Sequence, residues 1–142
     1  MNAASAFQMR PASLREVVAR SNGGEEFSFL LSSFLDTFFG HVKRGDLGQA
    51  LAMLTEEPPP SGSLQRDAYA GAVAEYLCRR WSLSGIPPWT NHPSRFLARP
   101  LFDQAAPSVR ALYLVESPAA FRRRLIFVEA VPLRRASMPV AS

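Results

Sequence analysis

The residues with which this chain could do chemistry are few, and their spacing argues against catalysis. His41 and His92 are the only histidines, in different segments and without Cys, Asp or Glu at metal-ligand spacing, so no metal site is expected. Cys78 is the single cysteine. It excludes an intramolecular disulfide and a CxxC cluster, and between Leu77 and Arg79 it reads as a buried, inert thiol. A nucleophilic serine needs a base and an oriented acid, and no G-x-S-x-G elbow occurs. There is no Walker lysine loop and no G-x-G-x-x-G, and Gly23-Gly24 is too slight to cradle a phosphate. Glu25-Glu26 and Glu56-Glu57 fall at expected helix ends, where capping and solvation account for them. The expectation is a non-enzymatic protein with no catalytic residue, no metal and no cofactor.

Arginine is the feature that asks for a partner. Lys+Arg total 16, and all but Lys43 are arginine, a bias that a GC-rich bacterial gene would produce. Residues 1–78 hold six Lys/Arg against nine Asp/Glu, whereas 79–142 hold ten against three, so the positive field sits on the C-terminal half. Arg122, Arg123 and Arg124, with Arg134 and Arg135, present guanidinium forks suited to phosphates or to an acidic protein surface. A solvated basic face is the plainer alternative. No helix-turn-helix, zinc finger or RNP aromatic pattern accompanies them, which places a protein partner ahead of nucleic acid. Three successive arginines on a short helix fan over roughly 200°, so one of them is expected to turn inward and be hydrogen-bonded.

These side chains must be positioned by helices. Ser13-Leu14-Arg15-Glu16 reads as a capping box, starting a short helix with Leu14, Val17 and Val18 on one face and Asn22-Gly23-Gly24 at its end. From Glu25-Glu26 the second helix carries Phe27, Leu30, Leu31, Phe34, Leu35, Phe38 and Val42 at helical spacing, the widest apolar face in the chain. Phe29 and Phe39 project away from it, and either the same chain covers them or they meet a partner. A third helix follows Asp46 and stops at Glu56-Glu57-Pro58-Pro59-Pro60, a run that no helix continues. A fourth spans 64–81, with Arg79-Arg80 complementing its C-terminal dipole.

The segment 82–107 is rich in proline yet carries Trp89, Phe96, Leu97, Leu101 and Phe102, which predicts an ordered strap with one helical turn near 93–97. A helix over 108–116 comes next. Ser117-Pro118 reads as an N-cap with proline at N1, opening a short helix anchored by Phe121. The apolar run 125–128 fits helix or strand equally. The expected fold is all-α, a compact irregular domain of about five to six helices. Its predicted organisation is an N-terminal helix and lead-in over 1–24, a single helical domain over 25–136 and a flexible tail over 137–142. No leader is visible in the first ten residues, and the most apolar stretch is too short and too polar to span a membrane. With one unpaired cysteine, a cytoplasmic setting is expected.

The segments Asp67-Ala68-Tyr69, Ala72 to Leu77 with Arg79-Arg80, Pro88-Trp89-Thr90, Arg95-Phe96-Leu97, Pro100-Leu101-Phe102 and Glu116-Ser117-Pro118 through Phe121-Arg122-Arg123-Arg124 to Val128 together resemble a family of uncharacterised, actinobacterial-type bacterial proteins. Phe34-Leu35-Asp36-Thr37-Phe38 resembles the stretch preceding them in that family, and the likeness covers about 27–136. The resemblance implies an antitoxin-like or regulatory role. The partner it implies is another protein, a nucleotidyltransferase-like toxin being one example, with a homo-oligomer as the alternative. Some members carry a helix-turn-helix segment; nothing before Phe27 is long enough to be one, so DNA binding through the C-terminal arginines is the second reading.

Overall fold

A computed structural model describes residues 9–103 and 106–140. The protein is all-α: among the described residues six α-helices accompany two 3₁₀ turns and one pair of two-residue strands. Contacts divide the chain into two units. Residues up to Pro59, joined by those from Arg135 onward, form the first, and Pro60–Arg134 the second. The division falls in the proline run, where the missing amide and fixed φ rule out a continuous helix.

The first unit is built on α1 (Leu14–Asn22), α2 (Phe27–Lys43) and α3 (Leu47–Thr55). The Ser13 hydroxyl accepts from the Glu16 amide at 3.1 Å, while the Glu16 carboxylate reaches one residue beyond a standard box and accepts from the Ala12 amide. Helix α2 packs between α1 and α3. It buries Leu30, Leu31, Phe34, Leu35, Phe38 and Phe39, and Phe34, Phe38 and Phe39 are each 0% exposed. Phe27 and Val42, the ends of the expected stripe, are only half-buried. Near the C-terminus Arg135 clasps both oxygens of Asp36, at 3.1 and 2.7 Å, and Ser137, the first residue of the expected flexible tail, donates to the same carboxylate.

The second unit has a central helix of its own, α4 (Leu64–Arg80). Ser63 caps it by accepting from the Arg66 amide. Every residue from Ala70 to Cys78 is buried. A helix apolar around its circumference is enclosed. Alanine and glycine make that character easy to miss, because small side chains carry little hydropathy while allowing close approach. The 3₁₀ turns Pro88–Asn91 and Pro93–Arg95 both pack on α4, as does α6 (Ala119–Arg122). Two turns therefore stand where the proline strap was expected to hold one. Strands β1 (Leu101–Phe102) and β2 (Ile126–Phe127) pair in parallel, Leu101 opposite Ile126, which places the two central residues of the ambiguous run 125–128 in a strand. Leu125, at φ 63°, makes the sharp bend from α6 into β2, and its carbonyl accepts the first ladder bond from the Leu101 amide.

Between the strands lies α5 (Pro107–Glu116), which contains no buried residue. Leu112, Leu114 and Val115 are 51, 48 and 75% exposed.

Gly71 marks the closest approach to α4. A Cβ there would lie 3.0 Å from the Arg95 Cβ and 3.1 Å from Arg124 Nε. Gly71→Ala would gain about 1 kcal/mol of helix propensity in an open helix, but overpacking here costs about 1–3 kcal/mol. A lowered urea midpoint is the expected result; a raised one would show that the contact yields.

Candidate functional site

Three arginines of the second unit, Arg79, Arg123 and Arg124, converge on Glu75. It sits midway along α4 among Ala72, Val73, Ala74, Tyr76, Leu77 and Cys78, and its side chain is 1% exposed. Burial at that point follows from its neighbours, and the charge must then be met from inside. Arg124 Nη1 donates to Glu75 Oε1 at 2.6 Å and Arg123 Nη1 to the same oxygen at 2.8 Å, while Arg79 Nε donates to Oε2 at 2.7 Å. Arg124 is 0% exposed. Its Nη1 also donates to the Ala120 carbonyl and its Nη2 to the Thr90 carbonyl, both at 2.7 Å. The guanidinium groups of Arg123 and Arg124 lie 5.1 and 4.6 Å from the Phe96 ring centre, adding cation–π attraction.

Burial pushes the Glu75 carboxyl up, but donation from Arg124, Arg79 and Arg123 outweighs it and holds the group below its ordinary range. Both carboxylate oxygens of Glu75 are engaged, and its side chain is 1% exposed. Burial likewise pushes the Cys78 thiol up to about 11, helped by the Glu75 charge, which suits the inert role expected of it. Among the described residues no group of three His, Cys, Asp or Glu could hold a metal ion, and no helix is long and apolar enough to cross a membrane.

The arginines singled out from sequence separate into different duties. Arg124 is the one that turns inward, and it is wholly enclosed, so it offers nothing to a partner. Arg123 is half-exposed and shared between Glu75 and the Asn91 side chain. Arg122 is exposed, its Nη1 donating to the Val115 carbonyl at the C-terminus of α5, where a cation complements the helix dipole. Arg134 is exposed in the second unit, whereas Arg135 belongs to the first and is committed to Asp36. Phe29 is 62% exposed. Phe39 requires a correction. At 0% exposed it is core, its ring edge-on to Phe38 at 5.8 Å, because the face covered on α2 is wider than its main stripe.

The segment 117–128 now has a local physical account. Ser117 does not cap α6: Pro118 holds that position, and the Ser117 hydroxyl instead accepts from the Val128 amide at 2.9 Å and donates to the Tyr113 carbonyl at 2.6 Å. It stitches the end of α5 to the chain just after β2, satisfying backbone groups a helix cap would have left open. Phe121 is 0% exposed between the edges of Tyr69 and Tyr76, at 5.8 and 5.7 Å. Sequence reasoning placed Arg79 in a dipole-complementing role and did not single out Glu75 or Thr90. A legible signal existed: one carboxylate, four residues before an arginine, inside an otherwise apolar helical run.

The fold and site define an all-α protein with a buried carboxylate, Glu75, met by three arginines. No family model, curated protein or solved structure matches the chain.

Proposed function

We infer that this is a non-enzymatic interaction protein whose second unit binds another protein through α5. The observation that carries the reading is the lack of any buried residue on that helix, with Leu112, Leu114 and Val115 in solvent. Exposed apolar side chains grouped on one element mark contact surfaces in proteins that otherwise bury them. Arg122, at the Val115 end, and the net charge of the unit, ten arginines against five carboxylates, favour a partner whose apolar groove has an acidic rim. The burial of Glu75 among three arginines accords with a structural role for that carboxylate. An antitoxin-like function, with a nucleotidyltransferase-like protein as partner, is the particular case implied by the resemblance, and a cytoplasmic setting accords with the lone thiol.

The test is retrieval of partners from the native host by wild-type protein and by Leu112→Glu/Val115→Glu, with circular dichroism to verify the fold. The expected result is one protein retained in fixed ratio by the wild type and lost with the double variant. Equal retention by both would overturn the assignment to α5. A salt-resistant, sequence-specific shift of DNA would overturn the whole reading, since contacts made only through these arginines would weaken steeply with salt.

A further inference from the structure

We propose that Ser137 is a phosphorylation site for an arginine-directed serine kinase, and that its modification releases the C-terminal segment from α2. The segment reads Leu133-Arg134-Arg135-Ala136-Ser137-Met138, with arginines three and two residues before the serine and an apolar residue after it. Kinases whose peptide cleft is lined with carboxylates select their substrates by such charge patterns. In the folded chain Arg135 and Ser137 are engaged elsewhere. Arg135 forms a two-pronged pair with Asp36, Ser137 donates to Asp36, and the Met138 amide closes a turn onto the Arg135 carbonyl at 3.0 Å. Arg10 adds a second cation, 3.9 Å from that carboxylate.

A kinase must take the segment in an open, extended form, so the clasp and the modification compete. Phosphoryl transfer forms a bond between Ser137 Oγ and the γ-phosphorus of ATP as the bond from that phosphorus to the β,γ-bridging oxygen breaks. ADP leaves, and the hydroxyl proton passes to the kinase's carboxylate base. The product carries about −1.5 to −2 charge where the hydroxyl had donated to Asp36. A donor becomes an anion facing an anion, and Arg135 is drawn to the phosphate, so the clasp cannot re-form. Its opening also withdraws Arg135 from the wall of a groove that it shares with Glu26, Phe29 and Ser33.

The full-length chain is incubated with Mg-ATP and the catalytic subunit of the cyclic-AMP-dependent kinase as the probe. The expected result is a single phosphate on Ser137, absent in Ser137→Ala and added about two- to five-fold faster in Asp36→Asn, the gain that loss of a surface clasp gives. In the phosphorylated chain the Met138 amide should exchange with deuterium faster. No phosphate on Ser137 in either wild type or Asp36→Asn, equal rates in the two, or unchanged Met138 exchange after modification would each overturn the proposal.

Discussion

Replacing Glu75 by alanine is expected to destabilise the second unit by about 3–5 kcal/mol, the cost of leaving a buried guanidinium without its counter-charge. Arg124 would retain only the Ala120 and Thr90 carbonyls, which are dipoles and cannot neutralise it. Glu75→Gln should recover part of the loss, because one amide oxygen can still accept while the charge stays uncompensated. Arg79→Ala serves as the contrast. Its side chain is 56% exposed, so water can reach Glu75 Oε2 once it is removed, and the loss should stay near the ~1–3 kcal/mol of one unmade hydrogen bond while Arg123 and Arg124 still meet the charge. Urea denaturation followed by tryptophan fluorescence reads the effect where it occurs, since Trp81 and Trp89 both lie in Pro60–Arg134. A Glu75→Ala shift as small as that of Arg79→Ala would mean that water reaches Arg124. The pH dependence follows in sign. The folded carboxyl is held below its unfolded value, so its stabilisation is present above about pH 4.3 and is lost as pH falls through the lower, folded value. The acid limb of unfolding should therefore be flatter in Glu75→Ala than in wild type.

In the first unit, Phe34→Ala is expected to cost about 3–5 kcal/mol through lost burial and the cavity left behind. Phe34 is 0% exposed, its ring stacked 6.2 Å from that of Phe38 at the centre of α2. Phe29→Ala on the same helix removes a ring that is 62% exposed and should stay within about 0.5 kcal/mol of wild type. Fluorescence cannot make this comparison, because every tryptophan and tyrosine lies in the second unit. The helix signal in circular dichroism during thermal unfolding can. Melting curves for the two variants that coincide would remove α2 from the core of its unit.

Local signals were sufficient for much of the secondary structure. Helix α1 was legible from its Ser13 capping box, α2 from the spacing of Leu30 through Phe38, and the end of α3 from three prolines, because caps, periodicity and missing amides act within a few residues. The inward turn of one residue among Arg122, Arg123 and Arg124 was also legible, from the cost of a guanidinium left unpaired beside the apolar run 125–128. The identity of that residue was not. Arg124 meets Glu75 across 49 positions, and nothing in either neighbourhood specifies the pairing. The enclosure of α4 likewise depends on which segments fold over its alanines and Gly71, and Phe39 became core through coverage beyond the main stripe of its helix. The Ser117 hydroxyl turned from an expected cap to the Val128 backbone because strand pairing brought that amide within reach. The sequence by itself determined the helices and the residues able to carry charge inward; only the tertiary structure decided which charges meet, because burial and pairing are set by groups distant along the chain.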